Sequence, residues 1–138
     1  MERIMAIDYG DARTGIAVSD LLCSLVGFTT VIHSRSPQAT AEEIGRLARQ
    51  HQAGQLVLGL PKNMDGTEGP RAEKCRAMAR LLEEATGLPV ALWDERRTTV
   101  EAHNILSAHN YHGKKRKNTV DAVAAALILE GYLAFCRR

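Results

Sequence analysis

The apolar positions of this chain fall into short runs that are bounded by polar turns. Two runs of four flank a polar turn that contains Gly10, and this pattern predicts a hairpin of buried strands. A third run is rich in β-branched residues, and two later runs are short and end near Gly or Pro. The pattern therefore predicts five strands, over residues 4–7, 15–18, 24–32, 55–61 and 89–93.

The segments between and after these strands carry helix signals. Thr40 with Glu43, and Thr98 with Glu101, have the spacing of a capping box at a helix start. Pro70 suits the first turn of a long helix, because its missing N–H is not needed there. The predicted helices span residues 40–52, 70–87 and 98–106, and a final apolar one spans about 118–135.

The order of these elements indicates the fold class. Three strands followed by strands that alternate with helices are typical of an α/β fold with a mixed five-stranded sheet and helices on both faces. The chain has 138 residues, of which 45% are hydrophobic, and this is enough for one domain with a real core. We therefore expect residues 1–138 to form a single domain.

Acidic residues stand where buried elements end. Asp8 follows the first strand, and Asp94 and Glu95 follow the fifth. Asp121 interrupts a final helix that is otherwise apolar nearly all round, where a carboxylate is costly without a partner. Each acid also has an ordinary interpretation: a turn residue for Asp8, a solvated pair for Asp94 and Glu95, and a helix-dipole partner for Asp121.

The convergence of these acids favours a metal site. Functional groups in such sheets collect at the carboxyl ends of the central strands. Mg²⁺ or Mn²⁺ takes a few carboxylate oxygens together with water and substrate phosphate. Two such ions, about 3.5–4 Å apart, activate a water and stabilise the leaving oxygen of a phosphodiester.

The positive charge is local. The net charge is only +2, but residues 109–118 form a basic segment that we predict to be a loop directly before Asp121. Such a run is usually just solvated, yet beside a metal site it suits a phosphate backbone. Its four consecutive cations are Lys114, Lys115, Arg116 and Lys117.

The sequence has no features typical of a secreted, membrane-spanning or disulfide-rich protein. The start of the chain lacks the features of a signal peptide, and the longest apolar run is far below the length of a membrane span. Cys23, Cys75 and Cys136 are odd in number and widely spaced, so a disulfide framework is not predicted. We expect a reduced, cytoplasmic protein.

Four motifs together resemble the YqgF or RuvX family, which is Holliday-junction-resolvase-like and associated with pre-16S rRNA cleavage. These motifs are "IDYGDARTGIAVSD", "LGLPKNMDGTEGP", "WDERRTTVEA" and "VDAVAAALILEGYL". The resemblance implies an RNase H-like fold and a metal-dependent nuclease that trims the 5′ end of the 16S rRNA precursor. It places the family's catalytic, metal-binding acids on Asp8, Glu95 and Asp121. Arg97 departs from the family pattern, which usually has an aliphatic or aromatic residue there.

Substrate contacts are expected from cations and amides near these acids. The resemblance favours Lys62 and Asn63, although a simple turn would also use Asn63. Arg96 and the four cations of the basic segment complete the predicted substrate-binding set. Pre-16S rRNA is the expected partner, structured DNA is the alternative, and a non-catalytic nucleic-acid-binding module is a further one. The sequence leaves open whether the protein is a monomer or a homodimer.

Overall fold

A five-stranded mixed sheet forms the centre of the computed structural model, which describes residues 2–95 and 113–136, with only the backbone for 113–119. The strand order is β3-β2-β1-β4-β5. β1, β2 and β3 are antiparallel neighbours, and β1, β4 and β5 run parallel. The strands are β1 Arg3–Asp8, β2 Arg13–Ser19, β3 Val26–His33, β4 Ala53–Leu60 and β5 Val90–Asp94.

Helices cover both faces of the sheet, as the sequence predicts. Helices α1 (Pro37–Gln50) and α2 (Pro70–Thr86) pack with Met5 and Ile7 of β1 on one face. Helix α3 (Gly113–Cys136) packs on the other face, where Ala6 points. The middle of β1 is apolar because both faces of the strand are buried there.

Helix α1 begins earlier than its apparent capping box predicts. Ser36 is the N-cap, because its side chain accepts a 3.1 Å hydrogen bond from the Ala39 amide, and Pro37 follows it. The prediction that Thr40 and Glu43 open this helix is wrong: Thr40 is buried inside it. The end of α2 matches its prediction, since Gly87 closes the helix in the left-handed conformation.

Helix α3 corrects the prediction of a basic loop. The helix begins at Gly113, so the backbone of Lys114, Lys115, Arg116 and Lys117 is helical. Asn118 and Thr119 therefore lie inside the helix instead of opening it. The predicted helix over 98–106 and the start of the basic segment, 109–112, lie outside the described residues.

The topology brings several chain ends to one edge of the sheet. The carboxyl ends of β1, β4 and β5 share this edge because these strands are parallel. β2 is antiparallel to β1 and pairs Gly15 with Asp8, so its first residues lie at the same edge. Within the described part of the chain, no helix has the length and apolar character needed to span a membrane.

Candidate active site

Two carboxyl groups from the ends of parallel strands meet at this edge. Asp8 is the last residue of β1, and Glu95 directly follows β5. Their side chains hydrogen bond to each other, which requires a proton between them. Burial, and then the hydrogen bond and negative charge of Asp8, raise the pKa of Glu95 well above its usual range. Two carboxyl groups this close concentrate negative charge, and a bound cation would neutralise it.

Gly59 makes this meeting possible. β4 lies between β1 and β5, and strands in a sheet are about 4.8 Å apart, so Glu95 must reach about 10 Å across β4. A Cβ on Gly59 would lie 2.3 Å from Oε1 of Glu95. The absence of a side chain at this β4 position therefore leaves the space in which the Glu95 carboxyl lies.

Asp121 reaches the same edge through a close backbone contact between α3 and β2. A Cβ on Gly15 would lie 2.0 Å from the Asp121 carbonyl oxygen, so only glycine permits this approach. Gly15 is the pairing partner of Asp8 across the hairpin. Asp121 is near enough for the charge of Asp8 to raise its pKa.

The carboxylate of Asp121 has its own partner. Arg13 Nε donates a 2.9 Å hydrogen bond to Asp121 Oδ2. Burial raises the pKa of Asp121, while the Arg13 hydrogen bond and charge oppose that rise. Among residues 2–95 and 113–136, no three acidic, His or Cys side chains form a ready metal cluster. The described site thus consists of a hydrogen-bonded carboxyl pair beside an acid held by arginine.

A cation network borders this site on the α2 side. Arg71, in the first turn of α2, donates a hydrogen bond to the Tyr9 carbonyl and lies 3.3 Å from Asp11. Lys74 also bonds Asp11, at 3.2 Å. The charge of Arg71 lowers the pKa of Glu95 against the larger upward effects. The network fixes the loop that follows Asp8.

The predicted substrate residues have different positions. Lys62 lies just after β4 and is half-buried. The Arg76 hydrogen bond and, more weakly, the charge of Lys62 lower the pKa of Glu68. Asn63 builds the following turn, since its Nδ2 donates a 2.9 Å hydrogen bond to Thr67 Oγ1. Arg96 lies outside the described residues. The side chains of Lys114, Lys115, Arg116 and Lys117 are likewise outside the described part of the structure.

Sequence reasoning missed the roles of Arg13 and Gly59. A usable signal existed for Arg13: it begins the hairpin strand that returns from Asp8, so antiparallel pairing places it at the same edge. Gly59 had a weaker signal, as the small residue that interrupts the apolar strand preceding, along the chain, the strand that Glu95 follows. Its role depends on the strand order, which the sequence does not give.

Three comparisons relate this chain to known proteins. A protein of Halothermothrix orenii named "Putative pre-16S rRNA nuclease" is 44% identical over 133 residues, which cover 96% of this chain and 95% of that protein. The structure of T. thermophilus RuvC in complex with Holliday junction substrate superimposes with a TM-score of 0.63 at 11% identity, covering 99% of this chain and 97% of that one. Fowlpox virus resolvase with its Holliday junction DNA gives a TM-score of 0.59 at 10% identity, covering 99% of both chains.

The structural likenesses have low sequence identity and show the fold, which is the RNase H-like architecture of resolvases. The family assignment comes from the sequence. A family model described as "RuvX: Holliday junction resolvase" matches residues 2–134. Because that match spans nearly the whole chain, the protein belongs to the RuvX family.

Proposed function

We propose that this protein is a divalent-metal-dependent endonuclease that hydrolyses phosphodiester bonds in the 16S rRNA precursor, at its 5′ end. The observation that carries the proposal is the hydrogen-bonded pair of Asp8 and Glu95, partly buried at the sheet edge where parallel strands end. Two carboxyls forced together in this way are typical of a site that receives a cation.

The donor set fits Mg²⁺ or Mn²⁺. Asp8, Glu95 and Asp121 supply oxygen ligands, which these hard cations prefer. Metal bound there would lower the pKa of a water molecule for attack and stabilise the leaving oxygen. Holding a metal there would require Glu95 to lose its proton, and Asp121 would exchange its hydrogen bond with Arg13 for the metal. The Arg13 guanidinium would then lie beside the site, where it could bind a phosphate oxygen of the substrate.

The names of relatives favour RNA over DNA. The Halothermothrix protein carries a pre-16S rRNA nuclease name and is 44% identical over almost the full length. The family description and the two structural neighbours name Holliday junctions, so a DNA resolvase is the second candidate. An rRNA precursor as substrate would place the protein in the bacterial cytoplasm.

Cations, and the side-chain amide of Asn63, would bind the substrate backbone. We assign this role to Lys62, Asn63 and Arg96, and to the four cations of the first α3 turns, Lys114, Lys115, Arg116 and Lys117. The helical backbone from Gly113 supports this role, because it continues directly from the basic run into Asp121. Phosphate contacts of this kind position a strand without selecting its sequence.

The experiment uses one labelled RNA that carries the 5′ precursor region of 16S rRNA and one four-way DNA junction. Each is incubated with Mg²⁺, Mn²⁺ or EDTA. We expect cleavage of the RNA that requires metal and that Asp8→Asn abolishes. Asp20→Asn is the matched control, because Asp20 lies at the opposite edge of the sheet, after β2. Cleavage of the junction alone would favour the DNA resolvase, and wild-type activity in Asp8→Asn would contradict the proposal.

A further inference from the structure

A cavity lies at the same edge of the sheet as the carboxyl pair but on the α1–α2 side, between the loop after β1 and the helices α1 and α2. Its volume is about 400 Å³, which is within the range of small-ligand sites. We name it the α1–α2 cavity. Its lining includes Tyr9, Asp11, Arg35, Pro37, Lys74 and Leu81.

The cavity combines an apolar wall with a cationic rim. Pro37, Met78 and Leu81 supply the apolar surface. Arg35 and Lys74 are exposed cations at the rim, and the described lining has one acid, Asp11. Asp11 is already paired with Lys74 and with the nearby Arg71, so the local charge is positive.

Tyr9 connects the cavity to Asp8 through the backbone, because its side chain packs on the α1–α2 face of the sheet and side chains of β1 alternate between the two faces. It directly follows Asp8 and lines the cavity with only 7% of its surface exposed. Its carbonyl is held by Arg71, which fixes its position relative to the acids. Among the hydrogen bonds between described residues, none uses the Tyr9 hydroxyl.

From these features we propose that the α1–α2 cavity binds one nucleotide of the substrate strand, next to the phosphate that is cleaved. The apolar wall would contact the face of a base, and Arg35 and Lys74 would bind the adjoining phosphate. Because an apolar wall and point charges accept any base, this site would hold the strand without selecting its sequence. The inference rests on the proposed nuclease function, which supplies the strand.

The test blocks the cavity without disturbing the core. Ala77 lines the cavity but is exposed on α2, so Ala77→Trp fills the space from outside. Ala85→Trp is the matched control, because Ala85 is exposed on the same helix and does not line the cavity. Binding of a fluorescein-labelled single-stranded RNA hexamer is followed by anisotropy in EDTA, where metal-dependent cleavage is prevented.

We expect Ala77→Trp to weaken hexamer binding about tenfold, the loss of one nucleotide's contacts. Ala85→Trp should bind like the wild type. In a series of hexamers, each has one abasic nucleotide at a different position. At one of these positions, loss of the base should weaken binding to the wild-type protein but not to Ala77→Trp. Equal affinities for the two variants, or a wild type that does not bind the hexamer, would overturn the inference.

A second pair of variants tests the rim. Arg35→Gln should lower the salt slope of log K by about 0.7, the value for one phosphate contact to a single strand. Arg80→Gln, a change at an exposed cation of α2 that does not line the cavity, should leave the slope unchanged. Since these readouts are binding in EDTA, a wild type that binds but never cleaves would end the proposed function and leave the cavity result standing. If the wild type cleaves the RNA but Ala77→Trp binds the hexamer as tightly as the wild type does, the cavity inference fails and the proposed function stands.

Discussion

Arg13 Nε lies 2.9 Å from Asp121 Oδ2, and this ion pair joins the start of β2 to α3 across the candidate active site. Both side chains are partly buried, so the pair is neither a fully solvated surface contact nor a core charge pair. In the metal-free protein the guanidinium offsets the charge that a divalent cation would otherwise neutralise. A metal bound by Asp121 would therefore compete with Arg13 for the same carboxylate.

The first prediction follows from this competition. Arg13→Gln should lower the free energy of unfolding of the metal-free protein by about 1 kcal/mol, because Asp121 loses its partner. Mn²⁺ should then raise the unfolding temperature more in this variant than in the wild type. Thermal unfolding with Mn²⁺ and with EDTA measures both effects. Arg80→Gln serves as control, and identical metal responses in the two variants would show that Arg13 does not compete with metal.

The second prediction concerns the contact that places α3. Gly15→Ala should cost about 3 kcal/mol or more of unfolding free energy, because its Cβ would overlap the Asp121 carbonyl oxygen. Gly45→Ala is a matched glycine change inside α1, where the new Cβ would meet only ordinary contacts of 3.5 Å or more. That control should be neutral or stabilising by about 0.5–1 kcal/mol. Urea denaturation compares them, and equal stabilities would contradict the close approach of α3.

The third prediction concerns pH. The raised pKa of Glu95 means that the folded protein binds this proton more tightly than the unfolded chain does. The resulting stability is fully present below the unfolded-chain pKa of about 4.3 and is lost as the pH rises through the folded pKa. In EDTA, Glu95→Gln should therefore unfold at a higher temperature than the wild type at pH 8, and at nearly the same temperature at pH 4.

The control for this pH experiment is Glu84→Gln, an exposed glutamate on α2. It should follow the wild type at both pH values. Metal should reverse the order at pH 8, because Glu95→Gln lacks a carboxylate ligand that the wild type can offer. If the unfolding temperature of Glu95→Gln matches that of the wild type from pH 4 to pH 8, the pKa of Glu95 is not raised in the folded protein.

The strands and the fold class were predictable because each strand has a clear apolar pattern with polar residues at its ends. The end of α2 was also clear, since Gly87 takes the backbone conformation that glycine favours. Helix starts were harder. Thr40 has the spacing of a cap, but Ser36 followed by Pro37 provides the better one.

The start of α3 was missed for a related reason. Asn118 and Thr119 favour caps locally, yet the lysines and arginine before them are good helix formers, and the helix continues back to Gly113. The relation between Arg13 and Asp121 spans 108 positions along the chain and depends on how α3 crosses β2. No local pattern contains that information. That Asp8, Glu95 and Asp121 bind metal together stays a prediction.

The fourth prediction concerns the basic start of α3. Changing Lys114, Lys115, Arg116 and Lys117 to Gln should weaken RNA binding across sequences. Each lost phosphate contact should lower the salt slope of log K by about 0.7 for single strands. Affinities at several salt concentrations measure this, with Arg49→Gln/Arg80→Gln as the control for exposed cations on other helices. An unchanged slope would mean that the run is only solvated charge.

The most direct test of the central claim is anomalous diffraction from crystals soaked in Mn²⁺. We predict an anomalous peak bound by carboxylate oxygens of Asp8, Glu95 and Asp121, at the distance of about 2.1 Å that such small divalent cations favour. Asp121 should have left Arg13, and the proton between Asp8 and Glu95 should be replaced by metal. A peak elsewhere on the protein, or no peak with the Arg13–Asp121 pair intact, would contradict the account.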